Sequence, residues 1–257
     1  MTMFTFCILV LCFSSAFAQL RIVNGTDTHI SLAPHQVSLQ VAASGCTTAG
    51  TGYCHICGGS ILNENWVLTA AHCVDGGSTS TMFIGAGFTT GQIRDETYTR
   101  YPIAQYIMYP TYNQGAGAFP NDVALIRLGT PINLSNSVHS SIELATTDYG
   151  NFHDVTCTIS GWGLDSTGVI PNQLQSTTGI IDENCGQWST NNYREAVHIC
   201  IHNPSTGSCN GDSGGPMVCN GVLAGVTSWG ASGCNTGYPS VYARVSTFNS
   251  WITTNMN

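Results

Sequence analysis

The stretch "GSCNGDSGGPMVCNGVLAGVTSW", which covers Gly207–Trp229, holds in one place the pattern that recurs along this chain. A glycine-rich loop is followed by two short runs, PMVC and VLAGVTSW, which are bounded by Pro, Asn and Gly. Short runs rich in Val, Ile, Thr and aromatic residues between such turn residues are typical of β-strands. Glycine also lets a loop aim several backbone N–H groups at one point, as sites that stabilise negative charge require.

About a dozen such runs predict an all-β fold built of antiparallel barrels or sandwiches. They form two series that separate near residues 129–131. The first series is HQVSLQV, GGSILN, WVLTA, TMFIGA, RYPIAQYIMY and DVALIRL, and the second is VTCTISGW, LQSTTGII, HICIH, PMVC, VLAGVTSW and PSVYARV. Only the C-terminal end predicts a helix, because Phe248, Trp251 and Ile252 have i, i+3, i+4 spacing.

The composition excludes several classes of protein. Charged residues make up 8% of the 257 residues and hydrophobic ones 42%, which is too apolar for a disordered chain. From Ile22 onward, five arginines and no lysine stand against fourteen acidic residues, a net charge of −9. This charge argues against nucleic acid and anionic membranes as partners, and it is typical of a surface that keeps a protein soluble.

The first twenty residues, MTMFTFCILVLCFSSAFAQL, predict a secretory signal peptide over residues 1–18. An apolar run from Met3 to Phe13 precedes small residues and an A-x-A cleavage pattern that ends at Ala18. The alternative, an N-terminal membrane anchor, is disfavoured because the run is short for a bilayer. We therefore expect a secreted, extracellular protein.

Ten cysteines lie beyond the signal peptide, and an even number in a secreted chain predicts five disulfides, although spacing alone does not fix their pairing. A metal site is the alternative, because CHIC is a CxxC motif and HICIH brings together His198, Cys200 and His202. A second CxxC is missing and an oxidising compartment favours disulfides. We therefore expect no metal and no cofactor.

Three residues have the chemistry of nucleophilic catalysis: His72 in LTAAHC, Asp122 in FPNDVALIRL and Ser213 in GDSGGP. A serine hydroxyl needs a base to take its proton, and histidine is suited to this because its pKa lies near neutrality. A buried carboxylate then fixes the histidine tautomer and stabilises the imidazolium. Each signal is modest alone, but together, in this order in a secreted β-rich chain, they favour an enzyme.

These motifs resemble the trypsin/chymotrypsin-type serine proteases over residues 22–257. The resemblance rests on RIVNG, CGGSIL, WVLTAAHC, NDVALIRL, SGWG, GDSGGP, TSWG and the closing aromatic helix. It implies two six-stranded antiparallel β-barrels with a C-terminal α-helix, barrel one over about 22–130 and barrel two over about 131–257, with the active site in the cleft between them. It also implies that Ser213 is the nucleophile, His72 the general base, and Asp122 its orienting partner, with the N–H groups of Gly211 and Ser213 as the oxyanion hole.

The resemblance also assigns a substrate pocket. Gly207 falls at its base, where trypsin-like members carry an aspartate, so cleavage after Lys or Arg is not expected. Gly230 resembles an open wall that admits large side chains, which favours Phe, Tyr, Leu or Met before the scissile bond. Ser240 partly fills the base and keeps an elastase-like preference for smaller apolar residues open. The remaining predicted substrate-binding residues are Ser208, Ser228 and Trp229.

Activation by proteolysis is implied by the arginine at position 21, directly before IVNG. Cleavage after Arg21 would remove a propeptide, residues 19–21, and free the amine of Ile22, which in this family pairs with the carboxylate that precedes the serine, here Asp212. An uncharged pocket does not hold arginine, so a different, Arg-specific protease is the expected activator. Protein or peptide substrates, and protein inhibitors, are the other partners that the resemblance implies, for a monomer. The alternative of another class, a non-catalytic binding homologue, usually has a replaced triad residue, and none is replaced here.

Family resemblance pairs eight of the cysteines and leaves two for an additional disulfide. The implied pairs are Cys57–Cys73, Cys157–Cys219, Cys185–Cys200 and Cys209–Cys234, with Cys46 and Cys54 left to pair across CTTAGTGYC. The family's calcium loop corresponds to GAGFTTGQIRDET, where Asp95 and Glu96 are the acidic residues and do not suffice to predict a calcium site. Of the two N-glycosylation sequons, at Asn24 and Asn133, the second is the preferred candidate, because Asn24 adjoins the activation cut.

Overall fold

A computed structural model describes residues 22–43, 53–90, 98–165, 168, 172–182, 185–188 and 192–256. Alternating short strands dominate these residues, as the runs of β-branched and aromatic residues predict. No helix within this described part of the chain has the length and apolarity needed to cross a bilayer. Arg21, Cys46, Asp95 and Glu96, as well as the predicted signal peptide, lie outside the described residues.

The first barrel consists of six antiparallel strands that close in the order β2-β3-β4-β7-β6-β5. Its strands are β2 (Gln36–Ala42), β3 (Tyr53–Asn63), β4 (Trp66–Thr69), β5 (Met82–Ala86), β6 (Thr99–Met108) and β7 (Ala124–Leu128). Strands β4 and β7 pair from Trp66 opposite Arg127 to Thr69 opposite Ala124. This register brings the C-terminal end of β4 and the N-terminal end of β7 side by side at one rim of the barrel.

The second barrel also has six antiparallel strands, joined in the order β9-β10-β13-β12-β11-β8 and closed by the pairing of β8 with β9. Its strands are β8 (Thr156–Gly161), β9 (Gln175–Ile181), β10 (His198–His202), β11 (Pro216–Cys219), β12 (Val222–Trp229) and β13 (Ser240–Arg244). A short strand β1 (Thr26–Asp27) adds to β9. The prediction of two six-stranded antiparallel barrels is confirmed.

The C-terminal helix α1 (Val245–Asn255) confirms the helix predicted from the aromatic spacing. Phe248 and Ile252 are fully buried in a core that also contains residues of both barrels, and the ring of Trp251 lies 5.2 Å from that of Tyr109. Tyr109 directly follows β6 of the first barrel. The helix that ends the second barrel therefore packs against the first barrel and helps to fix their relative position.

Four disulfides join the pairs expected from the resemblance: Cys57–Cys73, Cys157–Cys219, Cys185–Cys200 and Cys209–Cys234. Two of them flank the candidate site, because Cys73 follows His72 and Cys209 precedes Asp212 by three residues. Bridges of this kind typically contribute about 2–4 kcal/mol each. The expected fifth pair includes Cys46, which is outside the described residues.

Candidate active site

His72 is held against Asp122 at the rim of the first barrel. It lies in a short 3₁₀ helix, Ala71–Cys73, just after β4. Its backbone N–H donates to Oδ1 of Asp122 at 2.9 Å, and its ring Nδ1 lies 2.7 Å from Oδ2. Because an ionised carboxylate only accepts hydrogen bonds, Nδ1 carries the proton and Nε2 keeps its lone pair. The pair therefore fixes both the tautomer and the orientation of the imidazole.

Asp122 is completely buried, so its carboxylate depends on protein donors in place of water. Asn121 has φ 62°, and this left-handed turn brings the aspartate to the start of β7. Besides the two donors from His72, Oδ2 accepts the hydroxyl of Ser228 at 2.6 Å. Ser228 belongs to β12, so this contact joins the two barrels at the site.

Ser213 lies half-buried in a turn that both barrels hold in place. Its carbonyl accepts the N–H of Gly58 in β3 at 2.7 Å, and the next residue, Gly214, donates to the carbonyl of Thr227 in β12 at 2.8 Å. Gly214 has φ 78°, and a Cβ there would collide with the Thr69 hydroxyl. The sequence GDSGGP thus has glycine where a side chain would prevent the turn from closing against β3 and β4.

Gly211 precedes this turn with φ 98° and is fixed by a buried histidine that the sequence analysis did not assign a role. Nε2 of His55 lies 2.9 Å from the Gly211 carbonyl, and Nδ1 lies 2.7 Å from the Ser38 hydroxyl. Since a carbonyl only accepts, Nε2 donates and Nδ1 accepts the hydroxyl proton. Burial lowers the pKa of His55 to about 4, although its hydrogen bond to Gly211 opposes this. His55 is therefore neutral near pH 7.

Asp212 is buried between Gly211 and Ser213 and accepts two backbone hydrogen bonds. The N–H of Gly163 donates to Oδ1 and that of Cys209 to Oδ2, both at 2.8 Å. Burial raises the pKa of Asp212 to about 6, and these two N–H groups counteract part of the increase. A Cβ at Gly163 would clash with the carboxylate, so glycine is required there. Among the residues that the structure describes, no cation pairs with Asp212.

The residues that follow the predicted activation cut are seated on the second barrel. Ile22 is 1% exposed and belongs to the apolar core of that barrel. Val23 forms an isolated antiparallel bridge with Gly207, whose N–H donates to the Val23 carbonyl at 3.3 Å. The predicted cleavage residue, Arg21, is outside the described part of the chain.

A cavity of about 250 Å³ opens beside Ser213 and contains four of the six predicted pocket residues. It is lined by Ser208, Cys209, Asn210, Ser213 and residues 227–234, which include Ser228, Trp229 and Gly230. None of these lining residues is ionisable at neutral pH, since Cys209 and Cys234 are joined in a disulfide. A Cβ on Gly230 would meet no atom within 4 Å, so this wall of the cavity is open.

The other two predicted pocket residues, Gly207 and Ser240, do not line this cavity. They line a separate void of about 10 Å³. The Ser240 hydroxyl accepts the N–H of Ser208 at 3.3 Å and would lie 3.4 Å from a Cβ on Gly207. Ser240 therefore occupies space beside Gly207 and is hydrogen-bonded to Ser208, which lines the cavity.

Phe119 is a second residue without a sequence-based assignment. Its ring centroid lies 5.8 Å from that of His72, and 44% of its surface is exposed. The backbone of Phe119 has φ 45°, and the preceding Ala118 donates to the carbonyl of Asn192 at 2.8 Å. The sequence shows that Phe119 directly precedes Pro-Asn-Asp, but only the fold brings its ring beside the ring of His72.

The alternative metal site on HICIH loses a ligand in the structure, because the sulfur of Cys200 is bonded to Cys185. Nδ1 of His198 accepts the N–H of Arg194 at 3.0 Å and is likewise occupied. Within the described residues, one group of three potential ligands is close enough to hold an ion: Cys57, His72 and Cys73. Its two cysteines form a disulfide and offer no thiolate.

Comparison with known proteins gives one matching family model and several related sequences. A family model described as Trypsin matches residues 22–252. The chain is 36% identical to the "Chymotrypsin-like serine proteinase" of Haliotis rufescens over 91% of each chain. It is also 36% identical to "Trypsin alpha" of Drosophila melanogaster, over 92% of this chain and 88% of the relative, and to "Trypsin delta" of Drosophila erecta, over 91% and 88%. Relatives named for different specificities are thus equally identical to this chain, so sequence identity alone does not decide which substrates it cleaves.

Proposed function

Because this chain belongs to the trypsin family of serine proteases, we propose that it is a secreted endopeptidase, made as a zymogen, that cleaves after large apolar or aromatic residues. The observation that carries the catalytic part is the 2.7 Å contact between His72 Nδ1 and Asp122 Oδ2. This contact leaves Nε2 of His72 as the proton acceptor.

In the proposed reaction, Ser213 Oγ attacks the carbonyl carbon of the scissile bond while His72 Nε2 takes its proton. The N–H groups of Gly211 and Ser213 donate to the oxyanion of the tetrahedral intermediate. His72 then gives the proton to the leaving amine, and a water molecule hydrolyses the acyl-enzyme by the same route. Asp122 stays ionised and stabilises the imidazolium. This assignment is supported by the hydrogen bonds that hold the Ser213 turn to Gly58 and Thr227.

Activation depends on a cut after Arg21. In the uncut chain Ile22 has no free amine, and Asp212 is a buried carboxyl whose pKa is raised to about 6. The cut creates an ammonium group that pairs with Asp212 and removes the cost of a lone buried charge. The proposal is supported by the burial of Ile22 and by the Val23–Gly207 bridge, which keep the new terminus on the correct barrel. An Arg-specific protease is the activator.

The proposed preference for large apolar side chains follows from the uncharged cavity and its open wall at Gly230. No carboxylate at Gly207 is available to pair with Lys or Arg. The elastase-like alternative is favoured by one observation, the Ser240 hydroxyl at the base near Gly207, which shortens the space available. Phe, Tyr, Leu and Met are the expected residues before the cut.

The proposed organisation is a signal peptide over residues 1–18, a propeptide over 19–21 and a protease domain over 22–257. The enzyme is secreted and monomeric, takes protein or peptide substrates, and is open to protein inhibitors. The preferred glycan site is Asn133, which is exposed. At the other sequon, Nδ2 of Asn24 donates to the Ser205 carbonyl at 2.6 Å, a contact that a glycan on this nitrogen would disturb.

Covalent labelling tests the catalytic assignment and separates it from the non-catalytic binding alternative. The secreted protein is cut after Arg21 and treated with a fluorophosphonate, and the modified residue is located by mass spectrometry. We expect stoichiometric labelling of Ser213, with none in the Ser213→Ala variant and little in the uncut chain. A correctly folded, cut protein that takes no label at Ser213 would identify a binding homologue instead.

Peptide anilides that differ only at the residue before the scissile bond test the specificity. We expect kcat/KM to decrease in the order Phe, Leu, Ala, Arg. A preference for Ala would favour the elastase-like alternative, and a preference for Arg would contradict the pocket assignment altogether.

A further inference from the structure

The segment directly before Asp122 has a strained backbone. Between positions 113 and 121, the residues with φ between 45° and 111° are Asn113, Gly115, Gly117, Phe119 and Asn121. Phe119, with φ 45°, is the bulkiest of them, and a bulky residue keeps a left-handed conformation only where its surroundings hold it. The contacts of this segment therefore decide where the ring of Phe119 lies.

The second barrel holds part of this segment, through residues just before β10 and through His198, the first residue of that strand. The N–H of Ala118 donates to the carbonyl of Asn192 at 2.8 Å. A Cβ on Gly117 would lie 3.1 Å from the Asn192 carbonyl oxygen and 3.6 Å from Cε1 of His198. The absence of a side chain at Gly117 thus permits a close approach of the two barrels.

His198 is fully buried and has one defined tautomer. Its Nδ1 accepts the backbone N–H of Arg194 at 3.0 Å, so the proton of the neutral ring is on Nε2. Burial lowers the pKa of His198 to about 4, so the ring is neutral near pH 7. His198 therefore offers a single N–H donor, at Nε2.

This buried donor has no hydrogen-bond partner of normal geometry among the described residues. It faces the backbone carbonyls of Phe119 and Ala118, which favour the protonated ring and offset part of the effect of burial on the pKa of His198. A buried N–H without a partner costs free energy. A small shift of the segment towards His198 would remove this cost.

We propose that His198 is a positioning residue, whose Nε2–H donates to the Phe119 carbonyl when substrate lies beside the Phe119 ring and so fixes that ring next to His72. This assignment rests on the proposed protease function, because it gives the space beside His72 to a substrate. The ring of Phe119 is 44% exposed and lies 5.8 Å from that of His72, so a substrate can contact it. His198 should therefore affect selectivity for the substrate residue that precedes the one in the primary pocket.

Two peptide anilides test this role in the activated chain. Both carry Phe in the primary pocket, preceded by Gly in one and by Leu in the other. His198→Leu keeps a buried side chain of comparable size and removes the donor. We expect the ratio of kcat/KM for the Leu substrate to kcat/KM for the Gly substrate to rise about 5-fold, the effect of one hydrogen bond. His198→Gln can place an N–H near the position of Nε2 and should recover part of the original ratio.

Two further variants separate positioning from general destabilisation. His139→Leu removes another buried histidine, whose hydrogen bonds are to Asn133 and Asn136, and it should leave the ratio unchanged. Gly117→Ala disturbs the same segment as His198, because the new Cβ would crowd the Asn192 carbonyl, and it should raise the ratio. Adding His198→Leu to Gly117→Ala should then raise the ratio by less than in the native background, since the two changes act on one segment.

NMR of the cut Ser213→Ala chain gives a readout that does not depend on turnover. The Nε2 proton of His198, identified by its absence in His198→Gln, should shift downfield and exchange more slowly when the peptide with Leu before Phe is bound. The peptide with Gly should produce a smaller change.

The outcomes distinguish this proposal from the protease assignment. An active enzyme that is labelled by fluorophosphonate, but whose ratio is unchanged in His198→Leu or is changed equally in His198→Leu and His198→Gln, would overturn the role of His198 alone. An Nε2 proton that does not respond to either peptide would do the same. A cut chain that takes no label at Ser213 would refute the protease assignment, and the positioning role with it.

Discussion

The hydroxyl of Ser228 in the second barrel donates to the carboxylate of Asp122 in the first barrel at 2.6 Å. The same oxygen, Oδ2, accepts from the imidazole of His72 at 2.7 Å. The group that orients the histidine is thus itself held from across the cleft. A displacement of one barrel relative to the other would therefore change the position of Asp122 and the orientation of His72, the proposed catalytic base.

Replacing Ser228 by alanine is expected to lower kcat by about 10-fold, because a hydrogen bond to a charged group is worth about 1.5–3 kcal/mol. Without this donor the carboxylate is no longer held from the second barrel, so the imidazole of His72 loses part of its fixed orientation. Asp122→Asn is the reference variant, since a wrong histidine tautomer costs about 10⁴-fold in a Ser-His-Asp triad. Unchanged kcat in Ser228→Ala would show that His72 alone holds the aspartate.

The Gly207→Asp substitution is expected to shift the substrate preference towards basic residues before the scissile bond. A Cβ at this position would lie 3.4 Å from the Ser240 hydroxyl and 3.7 Å from Thr236, which are ordinary van der Waals contacts. The carboxylate would pair with an arginine before the cut, and kcat/KM for Arg anilides should rise at least ~10-fold while that for Phe falls. Gly207→Asn controls for size without charge. Equal effects of Asp and Asn would place Gly207 outside the substrate pocket.

The uncut chain should lose stability as pH rises through about 6, because of Asp212. Burial raises the pKa of this carboxyl to about 6 from an ordinary value of 3.8. Between these two values the folded chain holds a proton that the unfolded chain has lost. The contribution of Asp212 to the free energy of unfolding is therefore complete below pH 3.8 and is lost as the pH rises through 6. The shift corresponds to about 3 kcal/mol.

Urea unfolding gives the free energy of unfolding of the Arg21→Gln variant, which cannot be activated, at each pH. Subtracting the value for the double variant Arg21→Gln, Asp212→Asn isolates the contribution of Asp212. After a cut at Arg21 in the otherwise native chain, the new ammonium should pair with Asp212 and the dependence should vanish. A difference that stays constant between pH 4 and pH 7 in the uncut form would contradict the prediction.

His55 is expected to act as a positioning residue for the proposed oxyanion hole. His55→Ala removes the 2.9 Å donor to the Gly211 carbonyl and should reduce kcat about 10-fold, with little change in KM. His55→Gln can place an N–H near the position of Nε2 and should recover part of the loss. Equal activity of the alanine and glutamine variants would assign His55 a packing role only.

The pKa of His55 gives this residue a second, independent readout. Burial lowers it to about 4, below the ordinary value of 6.5. Its contribution to stability is therefore complete above pH 6.5 and is lost as pH falls through 4. The free energy of unfolding, compared with His55→Gln between pH 4 and pH 7, should show a loss of about 3 kcal/mol on the acid side.

Phe119→Ala is expected to widen tolerance for the substrate residue that precedes the one in the primary pocket. The ring lies 5.8 Å from that of His72 and is 44% exposed, so it restricts the space beside the histidine. Removal of the ring should raise the ratio of kcat/KM for a substrate with a bulky residue at that position to kcat/KM for one with glycine there, by about 10-fold. The Tm should change little, because the ring is far from fully buried. Unchanged selectivity at that position, measured with paired anilides, would mean that the ring does not contact substrate.

Local sequence features were sufficient for the strands, the closing helix and the residue types of the site. Alternation of β-branched residues between turn residues is a property of a few neighbouring positions, as is the spacing of Phe248 and Ile252 on one helix face. The glycine at 214 is similar, because its φ of 78° lies in the left-handed region, which favours glycine.

The contacts that complete the site were decided by the tertiary structure alone. His55 and Gly211 are 156 residues apart, and Ser228 and Asp122 are 106 apart. Such pairs meet only after both barrels have closed in register and docked, and no local periodicity encodes that geometry. The same holds for the ring of Phe119 beside His72: the residue is ordinary in sequence, and its surroundings arise from packing between distant segments.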